Sequence, residues 1–294
     1  MKRLFQALVA LAVLGLGIFW VVTTPFEVTS PTLPDHVANL ENGKLLFNVG
    51  GCISCHASPA ATDVPAGGKP LKTPIGTLYP PNLTPDPETG LGNWKLPWFV
   101  AAMQQGLNHD GSNLIPAFPY GSYRSMAFED VADLFGYLQS LPAIKNQVPA
   151  HDVVGLVLVR RGLMFWKMIA LSQPIWKADT AQSQSWNRGA YLVNGPGHCQ
   201  ECHTPRNLFM AMDASRAFMG GPHPEGKGKV PSLHGLVERA RYKDAADLVS
   251  AFQNGEVLGY EHMSAGGMGE VQRNLSKLPE ADLKAIAEYL LSLK

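Results

Sequence analysis

The chain has 294 residues, enough for two domains of ordinary size, and 46% of them are hydrophobic. Charged residues make up only 16%, and Lys+Arg equals Asp+Glu at 24 each. That balance leaves no basic stripe, which argues against a nucleic-acid partner.

Met1-Lys2-Arg3 precedes an apolar stretch from Leu4 to Val22 broken only by Gln6. As a helix this stretch reaches roughly 28 Å at about 1.5 Å per residue, close to the thickness of a bilayer core. Basic residues ahead of it favour a cytoplasmic N-terminus. A cleaved signal peptide would have a shorter apolar core and a small-x-small site. Here Ile18 is followed by Phe19-Trp20-Val21-Val22-Thr23-Thr24. The expectation is therefore an uncleaved membrane anchor over 1–24, spanning through residues 4–22. Residues 25–35, rich in proline, read as an extended spacer.

Two short runs follow: Cys52-Ile53-Ser54-Cys55-His56 and Cys199-Gln200-Glu201-Cys202-His203. Each is Cys-x-x-Cys-His, the attachment signature of a c-type haem. Residues three apart share a helix face, so both thiols of a pair can reach one porphyrin. The adjacent His can then turn its imidazole onto the iron. The four cysteines of the chain are all used in these runs. Two Cys-x-x-Cys pairs could instead build a zinc site, or one pair a redox dithiol. Zinc pairs usually lie close in sequence, and a redox motif needs no following His. Two covalently bound haem c groups are expected, with Cys52, Cys55, Cys199 and Cys202 as attachment points and His56 and His203 as proximal iron ligands.

Aligning the chain on these motifs reveals a duplication. Gly43-Lys44-Leu45-Leu46-Phe47 precedes the first motif, and Arg188-Gly189-Ala190-Tyr191-Leu192-Val193 precedes the second. Each reads as a first helix feeding the haem-binding turn. Long irregular stretches follow, Pro59 to Pro97 and Thr204 to Ser232. Such stretches suit chain wrapped around a porphyrin rather than around its own core. A middle helix comes next, Trp98 to Met103 ending at Gly106, with its counterpart Ala246 to Phe252 ending at Gly255; both glycines suit a helix C-cap. A last helix closes each half, Glu129 to Leu138 and Glu280 to Leu290, with acids in the first turn. The fold expected is mainly α, with two tandem class I cytochrome c domains over 36–142 and 183–294 after the N-terminal transmembrane helix. Residues 143–182 form an interdomain helical linker. In it Val153 to Val159 is interrupted by Arg160-Arg161, and Leu163 to Leu171 resumes around Lys167. That is too short and charged to span a membrane. A helix packed between the domains is the plain expectation, and a membrane-surface or partner-docking helix the sharper one.

The sixth iron ligand sets the chemistry, because Met favours electron transfer whereas an open position favours small-molecule binding or activation. Met268, in Gly266-Gly267-Met268-Gly269, lies on the loop before the last helix, where a small cytochrome c places its Met. Met263 is the runner-up. In the first half the matching place falls at Phe118, which cannot ligate iron. Met126 is the next candidate, but it aligns with Leu278, where an apolar residue staples a helix start. Met103 on an apolar helix face reads as core filling, and His109 in a polar turn as exposed. His36, His151, His198, His223, His234 and His262 lack ligand spacing. Asn82-Leu83-Thr84 matches a glycosylation acceptor, a match of little weight in a bacterial-looking exported chain.

The chain resembles the cytochrome c subunits of bacterial membrane-bound dehydrogenases of the alcohol, gluconate and aldehyde types. The resemblance is carried by Thr73-Pro74-Ile75-Gly76-Thr77, Asn82 to Gly92, Pro116-Ala117-Phe118-Pro119-Tyr120, and the run from Arg188 through Cys199 to Asn207. It implies an electron carrier of the bacterial inner membrane, with the N-terminus cytoplasmic and the haem domains periplasmic. The donor would be a periplasmic or membrane-bound dehydrogenase. The acceptor would be an oxidase, quinone or small cytochrome of the respiratory chain. Met268 matches the ligand position of the family's second domain. Many members have Pro-Ala-Met-Pro-Tyr where this chain has Phe118, and often a third haem domain. An altered first haem suggests an alternative, a dihaem redox enzyme of the thiosulfate dehydrogenase or peroxidase type. No cluster of acid, base or arginine residues accompanies it; Arg124 is the one nearby cation to test.

Overall fold

The computed structural model describes residues 1–26, 28, 33–223, 228–239, 242–254 and 267–294. It begins with α1 (Lys2–Val22), a 21-residue helix with no buried residue, long and apolar enough to cross a membrane. In chain order follow α2 (Leu40–Val49), α3 (Cys52–His56), β1 (Leu71–Thr73), β2 (Gly76–Leu78), α4 (Leu96–Gln105), α5 (Tyr120–Tyr123) and α6 (Phe128–Gln139). Next come β3 (Asp152–Val153), α7 (Leu156–Ala170), α8 (Gln184–Asn194), α9 (Gln200–His203), β4 (Gly221–Pro222) and β5 (Lys229–Val230). The last helices are α10 (Ala245–Asn254), α11 (Met268–Leu275) and α12 (Glu280–Ser292).

The ends of these helices are written in the sequence. Asn39 caps α2 by accepting from the amides of Glu41 and Asn42, and Ser183 caps α8 by accepting from Trp186 N. Such caps satisfy amides that have no partner inside the helix. Pro97 enters α4 in its first turn, and Gly106 ends it at φ 62°, in the left-handed region. Gly255, the matching position after α10, lies outside the described residues.

In each half the helix before the cysteine motif crosses the last helix of that half, α2 on α6 and α8 on α12. The crossings are close because a glycine sits at each. A Cβ on Gly43 would lie 2.2 Å from the Asp133 carbonyl oxygen, and one on Gly189 would lie 1.9 Å from that of Ala285. α2 buries Leu46, Phe47 and Val49 there, against Val131, Leu134 and Leu138 of α6. α8 buries Ala190, Leu192 and Val193 against Leu283, Ile286 and Ala287 of α12. Each large apolar side chain buried in this way stabilises by about 1.5–3 kcal/mol. The buried side chains of both halves join in one contiguous core.

The regions after the motifs carry only short hairpins. β1 and β2 are antiparallel, with Leu71 opposite Leu78; β3 adds to β2, with Gly76 opposite Val153. β4 and β5 pair with Gly221 opposite Val230.

Arg160-Arg161 interrupt the apolar run of the linker but not its helix: α7 is continuous, because long basic side chains are good helix formers. Leu163 is the one buried residue of α7. One element differs from expectation. Met268, expected on a loop, instead begins α11, which Gly267 precedes as N-cap. The polar run Gly269-Glu270-Val271-Gln272-Arg273 hides this helix from a hydrophobic pattern.

Candidate haem sites

The first motif is α3 itself, entered through Gly51 at φ 56°. The second has Cys199 as the N-cap of α9. In both, helical geometry puts the cysteines on one side and the His at the helix end. Cys52 and Cys199 are half-buried, while Cys55 and Cys202 are exposed. As free thiols, Cys52 and Cys199 are each pushed up to about 12 by burial, with the neighbouring cysteine adding to the shift. A redox dithiol needs the opposite, a depressed thiol. Among the described residues no three His, Cys, Asp or Glu side chains converge as a shared zinc site would need.

Each motif His is held in the same way. His56 Nδ1 donates to the Pro81 carbonyl oxygen at 2.8 Å, and His203 Nδ1 donates to that of Pro231 at 2.8 Å. With the proton fixed on Nδ1, Nε2 keeps its lone pair for a metal. Burial lowers both imidazoles, with the proline carbonyl partly opposing it; His56 falls to about 4. Both rings are therefore neutral at physiological pH, the form that binds iron. The surrounding backbone repeats as well. Gly67 N donates to His56 O and Gly220 N to His203 O, each at 2.7 Å. Leu83 N donates to Pro65 O and Leu233 N to Phe218 O, each at 2.9 Å. The residues thus fit a haem c at each motif: two thiols, a neutral imidazole with Nε2 free, and a carbonyl that orients it.

The sequence alone does not single out these proline carbonyls. Their signal is Pro81-Asn82-Leu83 and Pro231-Ser232-Leu233, a Pro-x-Leu repeated after each irregular stretch.

The candidate sixth ligands fall in different surroundings. Met268 is half-buried at the start of α11, which packs on α10 and α2. Met263 and His262 lie outside the described residues. Met126 is 4% exposed and belongs to the core cluster, as does its counterpart Leu278; both follow a tight turn, Met126 N donating to Tyr123 O and Leu278 N to Leu275 O. That environment is what a helix staple requires. Phe118 is half-buried edge-on against Tyr123, with ring centroids 5.4 Å apart. Met103 is buried in the core, and His109 is exposed, beside Trp94 and Trp98. Arg124 donates to the Leu171 and Gln173 carbonyls after α7, so its charge is spent on closing that helix. Asn82 is 1% exposed and bonded to Ile144 O, which rules out glycosylation of the folded chain.

The motifs are also joined to each other. His198, which precedes Cys199, has an uncommon φ of 39° for a residue with a side chain. Its Nε2 bonds Gly50 O at 3.0 Å, just before the first motif, and its ring sits edge-on to Tyr123. Asn274 of α11 donates to Ser54 Oγ inside the first motif at 3.0 Å. Ser122 Oγ donates to Glu201 inside the second at 3.1 Å. His198, which lacks ligand spacing in the sequence, is a bridge.

A model of the cytochrome c family matches residues 40–142. Over almost its whole length the chain is similar to a dihaem c-type cytochrome of Cereibacter sphaeroides, 37% identical over 99% of this chain and 98% of the relative. The chain belongs to the dihaem c-type cytochromes. Covalently bound haem c is the family's cofactor, and this cytochrome is mainly helical, with a cytochrome c domain and an N-terminal apolar helix. It is also similar to the cytochrome subunit of a fructose dehydrogenase from Gluconobacter japonicus, 31% identical over 99% of this chain and 60% of the relative. One subunit of a nicotinate dehydrogenase from Pseudomonas putida is 37% identical over 87% of this chain but 21% of its own length. The resemblance to dehydrogenase cytochrome subunits therefore holds. Such subunits transfer electrons, and a dehydrogenase is the partner they imply.

Proposed function

We propose that this cytochrome is an inner-membrane electron carrier built from two tandem class I cytochrome c domains, 36–142 and 183–294, joined by 143–182. One haem c is held by Cys52, Cys55 and His56, the other by Cys199, Cys202 and His203. The observation that carries this reading is the doubled frame, His56 on Pro81 and His203 on Pro231, each with the same flanking backbone bonds. A chance Cys-x-x-Cys-His would have no reason to meet a proline carbonyl twice. Bound haem supplies a one-electron couple; the chain supplies attachment, a neutral oriented imidazole, burial and a second axial group. Met268 serves the second haem. Phe118 stands where the first haem's sixth ligand would be, and Met126 is the thioether left to supply it.

The donor is a periplasmic or membrane-bound dehydrogenase, and the acceptor an oxidase, quinone or small cytochrome of the respiratory chain. Residues 1–24 anchor the chain with the N-terminus in the cytoplasm, and the haem domains face the periplasm. α1 supports this by its length, its composition and the lack of any buried residue in it. An enzymatic role finds no support, since Arg124 is committed to helix closure. The test is an absorption spectrum of the purified reduced chain, with a pyridine haemochrome assay for stoichiometry and carbon monoxide as probe. Two haems per chain with the second indifferent to carbon monoxide is the expected result. One haem, or a reactive second haem, overturns the assignment. Carbon monoxide binding at the first haem would mean that Met126 does not ligate it.

A further inference from the structure

α7 sits on the protein the wrong way round for a helix facing water. Lys167 and Trp166 turn inward: Lys167 Nζ donates to the carbonyls of Gln105 at 2.7 Å and Gly106 at 2.8 Å, and Trp166 Nε1 to Phe209 O at 2.7 Å. Five of its apolar side chains turn outward. Val157, Leu158, Phe165, Met168 and Ile169 are all exposed, Met168 at 71%. At 3.6 residues per turn these five fall within an arc of about 120°. Surface helices normally show the reverse pattern, and a contiguous exposed apolar face marks an interface. The turn that Trp166 holds adds Leu208, 100% exposed, with Phe209 and Met210.

Two further observations say what covers this face. The last turn of α1 lies on it: Arg161, the one polar residue within the arc, stacks its guanidinium 3.8 Å from the Trp20 ring centroid and donates to Trp20 O at 2.8 Å, while Phe19 stacks on Phe165. α7 is thus level with the end of the helix long enough to span a bilayer, and Trp20 and Arg161 are residue types that favour the interfacial layer. The charge also fits, because Val154 to Leu171 carries Arg160, Arg161 and Lys167 and no acid. Basic amphipathic helices of this kind bind surfaces containing anionic lipid.

We propose that the outward face of α7 and the Leu208–Met210 turn lie in the headgroup–acyl boundary of the bilayer that α1 spans. The haem-bearing body is then pressed flat on the membrane rather than held off it. This rests on the anchor reading above, and the experiment separates the two. The full holo-chain is reconstituted in phosphatidylcholine vesicles containing phosphatidylglycerol. With the native cysteines taken up by haem, Met168→Cys and Leu208→Cys each carry a single nitroxide, and Lys284→Cys on α12 serves as the water-facing control. EPR power saturation of the oxidised protein then compares access by oxygen, which partitions into lipid, with access by a water-soluble nickel chelate, the ferric haems adding the same relaxation to both readings. On reconstitution the oxygen-to-nickel ratio should rise several-fold at 168 and 208 and stay unchanged at 284, with Soret spectra matching the unsubstituted chain. If the chain floats with the vesicles while 168 and 208 remain open to nickel, the surface proposal fails and the anchor stands. Shielding of those sites only when a dehydrogenase is added assigns the face to a protein and likewise overturns the proposal. If the chain does not float at all, the anchor reading fails and this one with it.

Discussion

Changing glycine to alanine at Gly43, Gly189 and Gly162 tests the duplicated frame directly. All three lie inside helices, where the change alone should stabilise by about 1 kcal/mol. At Gly162 in α7 nothing lies within 4 Å of the new methyl group, so that gain should appear in full. At Gly43 the methyl carbon would sit 2.2 Å from Asp133 O and 2.6 Å from Tyr137 Cβ, and at Gly189 it would sit 1.9 Å from Ala285 O. The obstacles include backbone, which cannot rotate away. Each pair of crossing helices must separate by about 1 Å, and overpacking of this kind costs about 1–3 kcal/mol, occasionally more. Net of propensity, Gly43→Ala and Gly189→Ala should each lose up to about 2 kcal/mol, or up to roughly 8 °C in melting temperature for a chain of this size, and both should fall about 1–3 kcal/mol below Gly162→Ala. Thermal unfolding followed by far-UV circular dichroism, with the Soret band confirming that haem is retained, reads all three variants on one scale. If Gly43→Ala and Gly189→Ala melt as high as Gly162→Ala, the close crossings are not what hold each half. If only one of the two loses stability, the halves are not structural equivalents.

Met268→Ala should leave the second haem high-spin and carbon monoxide-reactive in the reduced state, and an unchanged spectrum would remove Met268 as its ligand. Phe118→Met should turn a reactive first haem low-spin if that position faces the iron; retained reactivity would show that it does not. Acid should weaken the packing of α2 on α6 through Asp133. Burial opposes its ionisation, but bonds from His36, Asn42 and the Asn39 amide outweigh it and hold the carboxyl below its ordinary value. A lowered folded value adds stability above the unfolded pKa of about 3.9 and forfeits it as pH falls through the folded value. The deficit of Asp133→Asn in denaturant midpoint should therefore be full near neutrality and shrink below about pH 4; a deficit constant with pH contradicts this. His198→Ala should lose a hydrogen bond and an edge-on ring contact, together about 1–3 kcal/mol. It should also alter the Soret dichroism couplet that reports the mutual orientation of two haems, and an unaltered couplet would mean that His198 does not set that orientation.

Much of the fold is periodic and therefore legible in the sequence. The helices before each motif and at the end of each half announce themselves through apolar spacing, caps and acidic first turns, as at Asn39, Ser183, Glu129 and Glu280. α11 escapes because its sequence is mostly polar, so its place is set by tertiary bonds such as Asn274 to Ser54 and Glu270 to Lys69. The site divides the same way. Cysteine and His spacing is local and visible, whereas the Pro81 and Pro231 carbonyls act through the backbone, where any residue type would offer the same oxygen. His198 looks incidental in sequence because its partner is a glycine carbonyl in the other half, far away along the chain. The orientation of α7 is not readable from its pattern either. An amphipathic helix shows an apolar face in sequence, but which face meets the protein depends on what the inward side chains find there, here the carbonyls of Gln105 and Gly106 at the end of α4.

The ties between the halves are concentrated where relative position matters most for passing an electron. Tyr191 of α8 donates to Asp130 of α6 and accepts from Ala127 N, locking one crossing pair against the other. Closer in, His198 holds Gly50, Asn274 holds Ser54 and Ser122 holds Glu201, so that residues inside or flanking both cysteine motifs take part in the interface. Two domains joined only by a linker would leave the separation of their cofactors to diffusion. A chain whose contribution to the chemistry is placement has reason to build its interface from the attachment motifs themselves. The left-handed backbone at His198 fits that logic: a conformation costing on the order of 1–3 kcal/mol persists only where its surroundings over-determine it. Here the surroundings are the other motif. Relieving that backbone with His198→Gly should then gain nothing in stability over His198→Ala beyond the relaxed φ. Both variants should disturb the mutual orientation of the motifs alike, because it is the bridge, not the strain, that sets it.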